Sequence, residues 1–385
     1  MDFRLTEEQQ MFYEQALRFF RKEIAPYAEA ADDKHEFSWP AWRKLGEQGY
    51  LGLHLPEEVG GSGADVLTTC LAHQAAGRAG VDGGLTLAWG AHTFLCADTL
   101  YKWGNEKQRR KYVSRLASGE WVGAMGLTEP GAGSDAAGVQ TTAVRQGDRY
   151  LLNGTKMFIT NGPIADVLVV YASVDKNLKH MGLTAFIVEK DFKGFAVGKQ
   201  LNKMCVRSST TSELIFEDCE VPAENRLGDE GAGFLMAMGT VEWDRSALLA
   251  PMVGAAEAVL EVCARYAKDR HQFGKPIASF PAIKHMLADM KIFAEAARML
   301  VYRIACKKDQ GAELSHLEAS STKLWVGDYG MMAADRAVQI HGGYGLMHEY
   351  PVERFFRDTR LGPIGGGTSE IQRTIISRML MQQLP

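Results

Sequence analysis

A chain of 385 residues, 46% of them hydrophobic and 9% aromatic, can bury a large core, and its length predicts two or three domains rather than a disordered tract. The formal net charge is −4 and Lys and Arg are dispersed, which offers no footprint for nucleic acid. Six cysteines, at positions 70, 96, 205, 219, 263 and 306, form no CxxC pair and no metal-ligand spacing; scattered reduced thiols, no metal and a cytoplasmic location are expected. The amino-terminal MDFRLTEEQQ has neither an apolar signal core nor an Arg/Ser-rich transit segment, and no apolar run reaches about 18 residues, so neither secretion nor contact with a membrane is expected.

From residue 6 to about 119 the pattern is helical. Thr6 and Gln9 are spaced as a capping box, and Met11, Phe12, Phe19, Phe20 and Ile24 recur at helical intervals as far as Pro26. Further helices are expected over 39–48, 66–78, 85–101 and 106–117, the last with a basic run, 107–115, read as a solvated face. The period then shortens. TTAVRQGDRYLLNGTKMFITNG, DVLVVYASV, LTAFIVEK, GFAVGKQ and SELIFEDCEV are short β-branched runs, with turns expected at Gln146-Gly147 and Asn153-Gly154; they predict an antiparallel sheet or small barrel. After Gly228 long amphipathic helices return over 230–270, 281–308, 317–340 and 368–384, with Glu257, Glu261 and Arg265 spaced for i,i+4 contacts. The expected class is α+β in three blocks: a helical domain over 1–121, a β domain over 122–229 and a four-helix bundle over 230–385.

GAGSDA at 131–136 fits the letters of the dinucleotide fingerprint GxGxxA, but Pro130 precedes it and no strand, helix, strand unit surrounds it. The chain has no GxxxxGK[ST], no GxSxG and no HExxH, which leaves serine-hydrolase and metal readings without a basis. What it does carry, in order, is GLTEPGAGSD at 126–135, KMFITNG at 156–162, DRHQFGKPI at 269–277, AVQIHGGYG at 337–345 and GGGTSEIQR at 365–373. This set resembles the acyl-CoA dehydrogenase family from end to end, in the same helix, sheet, helix order. The resemblance implies FAD, held between the sheet domain and the bundle and across a subunit boundary of a homotetramer. It also implies dehydrogenation of an acyl thioester between its α and β carbons, with electrons passed to an electron-transfer flavoprotein.

The residue types suit that chemistry. Thr128 and Thr160 are hydroxyl donors on turns or strand ends, fitted to the polar edge of an isoalloxazine, and Phe158 offers an aromatic face. Similar proteins often carry Trp at the position of Phe158, so one polar handle is missing. By the resemblance Leu127, Gly133 and Ser134 also line the cofactor, with Ser134 beside the pantetheine arm. Arg270 and Phe273 would contact the FAD of a neighbouring subunit, an Arg fork being apt for a pyrophosphate. Gln339, Gly342 and Gly343 would receive the adenosine side, and Thr368 and Glu370 would hold FAD at a helix start. Pro281 departs from the pattern, standing where relatives commonly place a Gln that touches the cofactor.

In the commonest members of the family the carboxylate that takes the α-proton immediately precedes the Gly-Thr of the last motif; here that position is Gly366. Proton removal next to a thioester still demands a carboxylate within reach of the α carbon. A branch that includes isovaleryl-CoA-type enzymes takes it from the helix after the sheet, where their Glu-Arg corresponds to Asp244-Arg245. Asp244 is therefore the expected base, favoured by alignment, with Glu242 left open as the alternative. Glu242, about 200° away around a helix, is expected with Arg245, Gly367 and Ser134 at the substrate instead. By the same resemblance the Gly366 N–H, with a ribityl hydroxyl of the flavin, holds the thioester oxygen. The shorter Asp and the volume vacated at Gly366 fit a short, branched or cyclic acyl group. Three other readings stay open: a carrier-protein-bound acyl or aminoacyl thioester of the prolyl-carrier type, a flavin oxidase or oxygenase on the same fold, and a non-catalytic flavin-binding protein.

Overall fold

A computed structural model of the chain describes residues 4–240, 243, 245–312 and 314–383. The capping box forms as expected: the Thr6 hydroxyl accepts from the Gln9 N–H, the Gln9 side chain accepts from the Thr6 N–H, and α1 (Glu7–Phe19) follows. After it come α2 (Ala28–Lys34), α3 (Trp39–Glu47), α4 (Val66–Ala79), α5 (Gly83–Gly90), α6 (Asp98–Trp103), α7 (Glu106–Gln108) and α8 (Ser114–Ser118). Two of the expected helices are composites. A π-helical stretch, Ala91–Ala97, joins α5 to α6, and another, Arg109–Val113, joins α7 to α8. The basic run is only partly a solvated face, because Lys107 pairs with Glu224, and Lys111 and Tyr112 both bond Glu189, tying this helix to the sheet.

The sheet comprises β1 (Gly123–Gly126), β2 (Thr142–Gln146), β3 (Arg149–Thr160), β4 (Val167–Ser173), β5 (Leu183–Glu189), β6 (Phe195–Gln200), β7 (Thr211–Pro222) and β8 (Arg226–Leu227). Its order is β6-β7-β3-β2-β4-β5-β8, with β1 also on β4. It is mixed rather than antiparallel throughout, since β1 and β2 both meet β4 in parallel. Parallel pairing needs a long return connection, and the chain between β1 and β4, which includes the whole β2–β3 hairpin, provides it. Gly147, at φ 64°, makes the expected hairpin turn. Asn153-Gly154 does not turn: it lies inside β3 at a register shift, where a Cβ on Gly154 would stand 2.5 Å from the Thr141 hydroxyl.

Every residue of β4 is buried, for a reason the strand period makes plain. Val167, Val169 and Tyr171 pack against Cys96, Leu100, Tyr112 and Val113 of the helical block, while Leu168, Val170 and Ala172 face Tyr150, Leu152, Phe186 and Phe216 within the sheet.

Beyond the sheet lie α9 (Gly233–Gly239), α10 (Ala250–Asp269), the hairpin β9 (His271–Gln272) and β10 (Lys275–Pro276), α11 (Pro281–Asp309), α12 (His316–His341), α13 (Pro351–Thr359) and α14 (Ser369–Gln383). The single helix expected over 230–270 is broken. A 3-10 turn, Ala247–Leu249, precedes α10, and Pro251 sits in the first turn of α10, where its missing N–H costs nothing. The i,i+4 contacts expected along α10 give way to contacts across helices: Glu257 accepts from Gln74 and Arg298, and Glu261 pairs with Arg78. Close approach of α4 to α10 makes this possible. A Cβ on Gly254 would lie 2.0 Å from the Gln74 carbonyl oxygen, and one on Gly77 1.9 Å from that of Pro251. Among the described residues, Ala247–Asp269 is long and apolar enough to cross a membrane, with a mean hydropathy of 1.7, against the expectation that no such run exists. The packing accounts for its character: Val253, Gly254, Ala256, Val259, Cys263 and Ala267 are buried.

A methyl group at Gly254 has no room between the two backbones, so Gly254→Ala is expected to destabilise the protein by about 1–3 kcal/mol, the usual cost of overpacking. Urea unfolding monitored by tryptophan fluorescence measures it; an unchanged midpoint would contradict the close packing.

Candidate active site

The loop after β1 and the end of β3 are joined by a buried ion pair. Lys156 Nζ donates to Glu129 Oε1 at 2.7 Å and to the Leu127 carbonyl at 3.1 Å, with the two side chains 0% and 4% exposed. Glu129 also accepts from the Gln140 N–H, the Thr141 N–H and the Thr141 hydroxyl. Burial pushes the Lys156 ammonium down to about 8 against the pull of Glu129. Burial acts to raise the Glu129 carboxyl, but the Lys156 charge and the four donors outweigh it and hold the group below its ordinary value.

This tether sets the neighbouring residues. Met157 N–H donates to the Thr128 carbonyl at 2.8 Å, so Thr128 and Phe158 lie side by side. Strict alternation would put Lys156 and Phe158 on one face. The register shift between Lys156 and Ile159, with Phe158 at φ 60°, sends the lysine inward and leaves the phenyl ring 65% exposed. At the strand's end Asn161, at φ 64° and fully buried, donates to the Ala88 and Gly123 carbonyls. Backbone contacts thus set Leu127 and Thr128 beside Lys156 and Met157 of β3, the strand that also carries Phe158 and Thr160. Gly133 and Ser134 are exposed on the adjoining loop, beside a cavity of about 390 Å³ lined by Asp135, Gln140, Ser173, Lys176 and Lys179.

A second group gathers at the hairpin after α10. The Arg270 guanidinium stacks over Tyr344 at 5.4 Å, in the 3-10 turn that begins with Gly342 and Gly343 and follows α12, whose last turn carries Gln339. Gln339 is exposed, and no atom lies within 4 Å of a Cβ built on either glycine. Phe273 tips the hairpin at φ 53°, 92% exposed, and Pro281 opens α11.

The glycine loop lies between α13 and α14. Gly366 and Gly367 have φ 65° and 89°, a region that favours glycine, and the Gly366 N–H donates to no acceptor among the described residues. Thr368 caps α14 by accepting from the Ile371 N–H, and Glu370 is exposed in its first turn.

Asp244 and Glu242 lie outside the described residues. Between them Trp243 is buried, stacked on Phe94 at 4.6 Å with Lys308 Nζ 4.1 Å from its ring, and its indole N–H donates to Asp98 Oδ2 at 2.9 Å. Burial acts to raise the Asp98 carboxyl, but His54 and Lys102 hold it down at about 2. Arg245 is also buried. A cavity of about 300 Å³ opens beside this segment, lined by Asp98, Lys102, Met236 and Thr240 among others. Reasoning from the sequence assigned no role to Glu129, Lys156, Asp98 or Trp243. Lys156 did leave a signal, as a charged residue in a β-branched strand.

Glu129→Gln would strand a buried ammonium, which costs about 3–5 kcal/mol at neutral pH. Because Glu129 is held below its ordinary 4.5, the stability it contributes is present above that pH and drains as pH falls through its folded value. The wild type is expected to lose its advantage over Glu129→Gln in acid, as read from urea midpoints at pH 7 and at about pH 4. An equal gap at both pH values would count against the ion pair.

Comparison with known proteins bears on this arrangement. Residues 6–120 match the acyl-CoA dehydrogenase N-terminal domain, 124–219 the middle domain and 231–381 the C-terminal domain. An acyl-CoA dehydrogenase of Bacillus subtilis is 45% identical over 377 residues, covering 98% of this chain and 99% of that one. The structure of butyryl-CoA dehydrogenase from Megasphaera elsdenii superposes with a TM-score of 0.94 at 42% identity, covering 99% of this chain and 100% of that one. The prolyl acyl carrier protein oxidase AnaB superposes at 0.95 with 37% identity, covering 98% and 100%. With such identity along nearly its whole length, the chain belongs to the acyl-CoA dehydrogenase family of oxidoreductases.

Proposed function

We propose that this protein is an FAD-dependent dehydrogenase that converts a short, branched or cyclic acyl-CoA to its 2-enoyl thioester. The observation that carries the reading is the Gly366–Gly367 turn: it bears no carboxylate, yet it leaves a backbone N–H without an acceptor among the described residues. Such a turn suits an oxygen-binding donor whose proton acceptor comes from elsewhere in the chain.

The residues fit FAD. Phe158 offers an uncovered ring on the strand that also carries Thr160 and that bonds the Thr128 carbonyl, and Gly342 and Gly343 leave open space in the turn whose Tyr344 lies under the Arg270 guanidinium. Leu127, Gly133, Ser134, Gln339, Thr368 and Glu370 complete the set we assign to the cofactor. When bound, FAD supplies the acceptor for the hydride leaving the β carbon. Asp244 takes the α-proton. As negative charge moves onto the thioester oxygen, the Gly366 N–H donates to it. Ser134, Glu242, Arg245 and Gly367 line the thioester arm.

Phe273, with 92% of its surface exposed on a projecting hairpin, suits coverage by another copy of the chain, which supports a homotetramer. We take the domains as 1–121, 122–229 and 230–385, the electron acceptor as an electron-transfer flavoprotein, and the location as the cytoplasm. The likeness to a prolyl acyl carrier protein oxidase favours one second reading, a carrier-bound thioester. Saturable activity with free CoA esters decides between the two.

Anaerobic bleaching of the flavin by a panel of straight, branched and cyclic acyl-CoAs tests the reading. Asp244→Asn is expected to slow bleaching by the best substrate by about 10²–10⁴-fold, the range for loss of a general base. Bleaching at the wild-type rate would reject Asp244, and no bleaching of the wild type by any thioester would reject the dehydrogenase.

A further inference from the structure

We infer that Lys323 is a positioning residue for the thioester-oxygen donor, an inference that rests on the dehydrogenase reading above. Lys323 lies on α12, 3% exposed, and its Nζ donates to the Gly367 carbonyl oxygen at 2.6 Å. From α14 the fully buried Gln372 amide donates to the same oxygen at 3.1 Å and to the Gly366 carbonyl at 3.3 Å. Together these two side chains hold the carbonyls of both peptides that follow the Gly366 N–H.

The turn needs such a hold. Two consecutive glycines at positive φ have the widest conformational freedom of any residue pair, and no side chain of their own fixes the direction of the N–H. A donor aimed about 1 Å wide forfeits most of its effect on a developing oxyanion. Lys323 also sets a positive charge behind the turn, on the protein side, where it favours negative charge arriving on the substrate side.

A purely structural role, tying α12 to α14, is already filled by other contacts. Asp328 on α12 accepts from the Ser369 hydroxyl and pairs with Arg373 on α14. Gly327 packs so closely on the loop that a Cβ there would stand 3.0 Å from the Gly362 carbonyl oxygen. Lys323 is not needed to repeat that tie, and its bond to the Gly367 carbonyl acts on the glycine turn itself.

The test uses the holoenzyme and a 3-thia-acyl-CoA, whose β position is sulfur and so has no hydride to give. Exchange of its α-protons in D₂O, followed by NMR, reads proton removal and oxyanion binding without oxidation. Lys323→Met is expected to slow exchange by ~10²-fold while FAD content and the dissociation constant for the 3-thia thioester stay within about threefold, and Lys323→Gln, which keeps a neutral donor, should fall between. Wild-type exchange in Lys323→Met overturns the inference, as does loss of FAD or of the folded state in both variants, which would make the lysine a structural tie. Absence of exchange in the wild type itself overturns it together with the dehydrogenase reading.

Discussion

The buried pair between Glu129 and Lys156 is the constraint on which the rest of the candidate site depends. It joins the loop after β1 to the outer end of β3, two segments that are remote in sequence pattern and different in secondary structure. The loop beyond it is exposed from Gly133 to Asp135. With it, Thr128 and Phe158 stand beside one another through the Met157 N–H. A buried charge pair is seldom stabilising compared with apolar packing. Its presence here is better understood as a device of geometry: five hydrogen bonds converge on two side chains and fix the loop against the strand.

A similar economy governs the loop after α13. The glycine loop carries no chemistry in its side chains, and its geometry is imposed from α12 and α14 by Lys323, Asp328 and Gln372. Trp243 plays a comparable part for the segment after α9, its indole held by the Asp98 carboxylate and its ring by Phe94 and Lys308. At the glycine loop, buried polar side chains of neighbouring elements hold carbonyls that glycine alone leaves free to turn.

The three blocks do not behave as beads. Helix α4 belongs to the first block by sequence, yet it packs on α10 with glycine contacts at Gly77 and Gly254 and sends Gln74 and Arg78 to carboxylates of the bundle. Strand β4 is likewise shared, one face buried by the helical block and the other by the sheet.

Much of this was legible in the chain itself. Local rules held where local energy decides: the Thr6 capping box, the turn at Gly147, and the change of hydrophobic period that marks helices from strands. Family motifs pointed to Phe158, Arg270 and the glycine loop because those residue types recur in order. Other features had no local signature. Asn153-Gly154 reads as a turn, and only the approach of Thr141 makes it a bulge within β3. Glu257 and Glu261 read as intrahelical partners, and only the contact of α4 with α10 redirects them. Lys323 stands on the same helical stripe as buried Ala319, Val326 and Gly330, a charge on an apolar face that the sequence displays, but its target became defined only when the loop after α13 returned to it. The sequence by itself determined which segments are helix or strand, because periodicity and capping act within a few residues. The tertiary structure alone decided which buried charge meets which backbone, because burial and pairing are properties of segments brought together from far apart in the chain.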